Sequence, residues 1–369
     1  MRHDLYEASQ YKGKIKNLVM KANAMRNHRS TPVDITFSEI IQKEFGADVS
    51  VDSFYESLGV NPGFDTLENL FTTPDNDIRW LIPEIFRDSL RLGYRKSPIW
   101  PAITAMEETT TGLSQVLPSI NMADAAPKRV GEGETIPVGA LTFQSKKFDI
   151  HKFGRGIKLT DEVSRYVNLN LISAYFEDFG IKMGLGVDYL AILTLINGEQ
   201  TDGSESAPVI GVKTPNTLTF RDILKIWIRM AKIGRNPKVS LGSEDTALET
   251  WDLDEFKLKT QGSTEYKLNI KTPLPNGSDY YIHGSIPQYQ QIIVDPTAAL
   301  IKLNAQPMMV ESERIVSNQT EAFYASFTLG FAKMFTDAAL ILDYSKDFSA
   351  FGFPDAMDVY GSDILTMNK

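Results

Sequence analysis

The sequence predicts an α+β fold with antiparallel strands. Three observations carry this: an unusually long apolar helix pattern between residues 161 and 197, a late strand with alternating aromatics at 321–335, and an element order without the regular βαβ alternation of a parallel sheet. At 369 residues the chain is long enough for a sizeable core and for two domains or one elaborate one. Its 42% hydrophobic and 23% charged content are those of a globular protein.

From residue 31 to about 75, short helix signals alternate with breakers. Thr36 and Glu39 have capping-box spacing ahead of Ile40, Ile41 and Phe45, with Gly46 as the stop. A second piece, Ser53 to Leu58, ends at Gly59, and Asn61-Pro62-Gly63 is a turn. These read as small helices strung on a connecting arm. Residues 78–92 are helical with Pro83 near the first turn, whereas Pro98 and Pro101 predict an extended segment.

In "PKRVGEGETIPVGALTFQSKKFDIHKFGRGIKLTDEV", Leu141 and Phe143 alternate with polar residues. Phe148 and Ile150 then do so in the opposite phase. The flip near 145–147 predicts a bulge or a strand whose halves bury opposite faces. After Thr160, an N-cap candidate, helical spacing runs to Asn197-Gly198. Unbroken, that helix has about 37 residues and a length of roughly 55 Å. Two apolar sets share it, one through Leu171, Tyr175 and Phe179, the other through Ile172, Phe176, Leu185 and Tyr189. Gly180, Gly184 and Gly186 weaken it and predict a bend. Thr219 starts another helix with Ile223, Leu224, Trp227, Ile228 and Ala231 as its apolar set. A buried strand near 238–242, a short helix over 243–256, turn-punctuated strands over 263–305 and a strand at 338–342 complete the chain.

The composition excludes several chemistries. The chain has no cysteine, hence no disulfide, thiolate metal site or cysteine nucleophile. Its four histidines (His3, His28, His151, His283) lack metal-ligand spacing. No phosphate loop is present, and "GEGETIPVG" has Ile136 where a dinucleotide fingerprint needs its last glycine. Glu132 and Glu134 fall on one side of an extended strand, so a carboxylate-pair hydrolase is conceivable, with solvated loop charges as the plainer reading. No catalytic, cofactor or metal site is expected. No secretory or transmembrane segment is evident in the polar N-terminal region. Residues 1–30 carry Arg2, Lys12, Lys14, Lys16, Lys21, Arg26 and Arg29 against Asp4 and Glu7. That +5 leaves −14 for the remainder, as the whole chain is −9. Such a basic arm is either a solvated helical segment or a surface toward a polyanion.

The order of elements, together with the loop quoted above, "LAILTLINGEQTDG", "HGSIPQYQQIIVD" and "SERIVSNQTEAFYASFTLGFAKMFTDAALIL", resembles the major capsid protein of tailed bacteriophages, the Hong Kong 97-like fold. The likeness covers roughly residues 95–345. It implies an N-terminal arm (1–75), peripheral-domain strands (76–120 and 306–340), an E-loop hairpin (121–158), a spine helix (159–198) and an axial domain (199–305 and 341–369). It also implies a non-enzymatic shell protein, assembled as pentamers and hexamers in the host cytoplasm into an icosahedral virion capsid around double-stranded DNA. Scaffolding, portal and decoration proteins are then further partners, with no membrane. Inter-subunit contacts fall to Lys128, Arg129, Glu132, Glu134, Lys146 and Lys147, and the interior, DNA- or scaffold-facing role to the seven arm bases. The Lys–Asn isopeptide crosslink of some members would draw on Lys128, Lys146, Lys147 or Lys152 with Asn318. An encapsulin-type nanocompartment shell is the alternative within the same fold.

Overall fold

The computed structural model describes residues 15–26, 35–46, 54–56, 58–61, 63–72, 80–96, 99–110, 112, 114–116, 119–120, 132–133, 135, 141–142, 147–198, 206–254, 274 and 277–347. The chain opens with α1 (Ile15–Arg26), α2 (Phe37–Phe45) and α3 (Leu67–Thr72). At α2 the capping box forms in full: Glu39 N–H donates to Thr36 Oγ1 at 3.0 Å and Thr36 N–H to Glu39 Oε2 at 2.8 Å. Gly46, at φ +108°, ends the helix as the spacing predicts.

These helices are not an arm strung outside the core. Ile15, Leu18, Val19 and Ala22 of α1, Phe37, Ile40 and Ile41 of α2, and Leu67 and Leu70 of α3 all enter the main hydrophobic cluster. Helices this short are marginal alone, so their apolar stripes must be buried for them to persist. Arg26 likewise departs from its expected place on a polyanion-facing surface. It is 1% exposed, and its two terminal nitrogens donate to both oxygens of Glu84 at 2.7 Å. Its Nε donates to Ile35 O at 3.0 Å.

Next come α4 (Ile82–Arg95), with Pro83 in its first turn, and α5 (Ile99–Ile103). The extended segment expected at the second pair of prolines is instead this short helix. Pro101 sits in the first turn, where its missing N–H has no intrahelical partner to lose. The Trp100 N–H at that same end donates to the buried carboxylate of Asp188, 2.7 Å away.

The long helical pattern divides. A short α6 (Asp161–Tyr166) is followed by α7 (Leu169–Asn197), 29 residues and roughly 43 Å long. The break falls at Val167 and Asn168, which are extended, and not at the glycines. Asn168 caps α7 by accepting from Leu171 N–H at 3.0 Å and donates to Gly63 O at 3.2 Å, a local bonding pattern that competes with helix continuation. Helix α7 continues unbroken past Gly180, Gly184 and Gly186. It is long and apolar enough to cross a membrane by length and composition. In this fold it packs along α4, with Asp188 fully buried in its apolar surroundings.

The reason for two of the glycines is close helix packing. A Cβ on Gly93 of α4 would lie 1.9 Å from Glu177 O, and one on Gly180 of α7 would lie 2.2 Å from Leu90 O. The approach brings Phe86 and Phe176 into a parallel stack at 4.2 Å, with Phe323 edge-on to both at 4.8 and 5.6 Å.

Two main sheets complete the fold. The first contains β1 (Thr104–Thr109), β6 (His151–Thr160), β11 (Leu300–Ile315) and β12 (Thr320–Lys333), in the order β1-β11-β12-β6. The alternating Phe323, Ala325, Phe327, Leu329 and Phe331 face the main core, as the strand period predicts. Between β1 and β6 lie four short strands: β2 (Ser114–Val116), β3 (Ser119–Ile120), β4 (Leu141–Thr142) and β5 (Lys147–Asp149). The second sheet holds β7 (Val209–Val212), β8 (Val239–Gly242), β9 (Asp279–Ile282), β10 (Gln290–Val294) and β13 (Ala339–Asp347), in the order β7-β13-β10-β8-β9. Leu300–Ala305 therefore belongs with the first sheet, not with the axial portion assigned from sequence. The chain crosses back to the second sheet at 334–338.

Helix α8 (Phe220–Lys232) covers the second sheet with Ile223, Ile226, Trp227 and Met230, while Ile228 and Ala231 of the expected set face solvent. Helix α9 (Glu244–Asp252) follows β8 and is capped by Ser243. The order of elements, a two-stranded excursion, a long helix, a second sheet and a long strand pair, is the one the Hong Kong 97-like resemblance implies.

Two stability predictions follow from the packing. Gly93→Ala and Gly180→Ala are each expected to destabilise by at least 1–3 kcal/mol, roughly the cost of overpacking a tight contact. Gly186, with nothing within 4 Å of its built Cβ, should gain up to about 1 kcal/mol as alanine; urea denaturation of the three variants measures both signs. Arg26→Ala strands the Glu84 carboxylate, 3% exposed, and is expected to cost about 3–5 kcal/mol. The double replacement of Arg26 and Glu84 by leucine should recover much of that loss in the same assay.

Candidate assembly surface

The stretch between β1 and β6 is a two-stranded excursion. Strand β2 pairs antiparallel with β5 (Ser114 opposite Asp149, Val116 opposite Lys147), and β3 with β4 (Ser119 opposite Thr142). Glu132 and Gly133 form an exposed turn, with Gly133 at φ +83°. The root is anchored: Phe148 and Ile150 are buried with Ile301, Leu303 and Ala332 on the face of the first sheet turned away from α7. Beyond Lys147 the described ladders have one partner strand each, and a two-stranded ribbon is marginal in water.

Of the residues expected to make inter-subunit contacts, Glu132 is exposed at this turn and Lys147 lies on β5. Lys128, Arg129, Glu134 and Lys146 lie outside the described residues, as does the expected phase flip at 145–147. Of the arm bases, Arg2, Lys12, Lys14 and Arg29 lie outside them as well. Lys16 sits 5.3 Å from the centre of the Trp80 ring, and Lys21 pairs with Glu44. With Arg26 buried, the structure brings no basic cluster together on α1. Asn318 lies in the exposed turn between β11 and β12, while Lys152 on β6 lies opposite Thr328, some ten residues further along. The two do not meet within one chain.

The sequence reading did not single out the outer face of α7. Its buried stripe runs through Ile172, Phe176, Gly180, Val187, Ala191 and Leu195. On the opposite side Leu171, Tyr175, Leu185 and Tyr189 are 44–67% exposed, interrupted by the Asp178–Lys182 pair at 2.7 Å. Tyr166 and Phe64, nearby in the chain fold, are each 83% exposed. The signal was present as apolar residues all round one helix, but the exposed stripe takes Leu171 and Tyr175 from one of the two sequence sets and Leu185 and Tyr189 from the other. A helix apolar all round is ordinarily buried, so its bare stripe is a candidate contact surface.

The far half of the first sheet adds a third incomplete surface. Strand β1 pairs with Leu300–Asn304, so among the described residues β11 from Gln306 onward has β12 as its sole strand neighbour. Pro307, without an N–H, and the register shifts at Gln306–Met309 lie where the β1 pairing stops. Strand β6, at the other margin, is exposed along most of its length. A Cβ on Gly156 would lie 2.7 Å from the Tyr324 ring, so this glycine lets the aromatic ring lie across its cross-strand neighbour.

At the hairpin end, Glu321 lies opposite both Leu159 and Arg314. Burial pushes its carboxyl up to about 7. Arg314 opposes the shift, and Asp161, itself 3.9 Å from Arg314, reinforces it.

No protein-family model matches this chain, and no curated protein matches it either. Several solved structures are similar in fold. The virus-like particle from Pyrococcus furiosus shares 12% identity over 70% of this chain and 97% of its own, with a TM-score of 0.46. The capsid of a native GTA particle shares 11% over 69% and 90%, with a TM-score of 0.48. The holo-SrpI encapsulin complex from Synechococcus elongatus PCC 7942 shares 12% over 70% and 93%, with a TM-score of 0.46.

The Glu321 geometry has a definite pH sign. Because the folded-state pKa is raised, the neutral form is the one the fold accepts. This stability is fully present below the unfolded value of 4.5 and is lost as pH rises through about 7. Glu321→Gln should therefore match the parent in thermal midpoint at pH 4 and exceed it at pH 8. An equal pH dependence in both proteins would refute the assignment.

Proposed function

We propose that this chain is a major capsid protein that assembles as pentamers and hexamers into an icosahedral shell around double-stranded viral DNA, with a structural and not an enzymatic role. The observation that carries the reading is the bare apolar stripe of α7. Tyr175, Leu171, Leu185 and Tyr189 line one face of a long core helix, where a solitary chain gains nothing from them. The ribbon rooted at Phe148 and Ile150 supports it: two strands gain their missing partners only from a neighbour. Burial of such surfaces between copies adds stability by mass action that one copy does not have. The pentamer, hexamer and DNA assignments are those implied by the sequence resemblance.

The test is the size and content of the purified assembly. Closed shells by electron microscopy, holding nuclease-protected double-stranded DNA when recovered from producing cells, are the expected result. A chain that stays monomeric at micromolar concentration overturns the shell reading, and shells filled with protein cargo instead of nucleic acid overturn the viral one. Tyr175→Glu, an exposed position, should abolish assembly while leaving the thermal midpoint of the unassembled chain within a few degrees of the parent.

A further inference from the structure

We infer that neighbouring copies meet through the two unlike margins of the first sheet, the basic edge β6 of one copy against the acidic edge of β11 in the next. This rests on the shell reading above and names one of its contacts.

The argument starts from the ladder. Among the described residues the sheet beyond Asn304 is three strands wide, β11-β12-β6; Arg87 takes Met308 O, and β11 is exposed from Glu311 to Arg314. Strand β6 carries Lys152, Arg155 and Lys158 and no acidic residue, and all three are exposed. Strand β11 carries Glu311 and Glu313 in exposed positions, and its one base beyond Lys302 is Arg314, exposed and 3.9 Å from Asp161. None of Lys152, Arg155, Lys158, Glu311 and Glu313 forms an ion pair among the described residues. The register keeps them apart: Lys158 and Glu313 both lie opposite Ala322, on its two sides, separated by the full width of β12.

An open strand edge is a template for another chain, and charge decides which chain it accepts. Two β6 edges repel, as do two β11 edges, so the symmetric pairings are disfavoured. The unlike pairing sets the bases Lys152 and Lys158 against Glu311 and Glu313. A contact between different patches on the two copies is head-to-tail, and repeated about an axis it closes a ring. The sign separation across one narrow sheet thus selects head-to-tail association over two-fold dimers.

Charge reversal tests this in the full-length chain. Lys152→Glu with Lys158→Glu makes both margins acidic; Glu311→Lys with Glu313→Lys makes both basic. Each is expected to leave the circular dichroism spectrum and thermal midpoint of the unassembled chain unchanged while abolishing particles, as scored by electron microscopy and sedimentation. Combining all four substitutions restores unlike margins with exchanged sign and should restore particles. If either two-residue variant assembles like the parent, or the four-residue variant fails to assemble while keeping its fold, the edge contact is overturned and the shell reading stands. If the parent itself does not assemble, both fall together.

Discussion

Everything in this fold is organised around the place where α4 and α7 touch backbone to backbone. Gly93 and Gly180 remove the two side chains that would hold the helices apart, so carbonyls of each helix lie against the other's Cα atoms. The resulting proximity forces Phe86 onto Phe176 and places Phe323 of β12 edge-on beneath them, joining helix pair and sheet. Each such ring contributes about 1.5–3 kcal/mol by burial, with aromatic geometry adding to it. From the same helix, Arg87 donates to Met308 O on β11 at 2.8 Å and to Ile35 O at 3.0 Å, while Glu84 receives Arg26. The N-terminal helices, the long helix and the first sheet are all referred to α4.

Buried charge then fixes the ends of the elements. Asp188, on an apolar stretch of α7, accepts from the first turn of α5. Lys333 donates to Leu195 O near the C-terminal end of α7, at 3.0 Å. Lys302 stands 3.5 Å from the centre of the Trp100 ring. Each charged group is met by a helix terminus, an opposite charge or an aromatic face, which is what burial of an ion demands.

Much of this was readable from local pattern. The capping box at Thr36, the stops at Gly46 and Gly198, and the alternating core face of β12 follow from short-range rules that tertiary context did not override. What escaped was long-range. The glycines of α7 carry the same local penalty whether they bend a helix or seat another one; only the position of Leu90 distinguishes the two. Arg26 reads as one more base in a basic segment until Glu84, fifty-eight residues on, is brought beside it. Pro101 suggested an extended chain because the helix it opens is only five residues long, and a first turn tolerates what an interior does not. The apolar stripe of Leu171 and Tyr175 was visible as a pattern, but its exposure depends on which face α4 occupies.

The bare stripe on α7 also sets up a race. On the proposed shell reading, a newly folded chain carries the surface it needs for its neighbours before any are in place, and that surface does not discriminate among hydrophobic contacts. Wrong encounters accelerate with concentration just as right ones do. What separates the two is electrostatic: at a net charge of −9, random approaches between copies are repelled. Productive association therefore depends on orientation, since only an approach that aligns complementary local charges lowers this barrier. Conditions that screen charge would narrow the margin between assembly and precipitation, making ionic strength a determinant of yield for a protein whose core is held by aromatic packing.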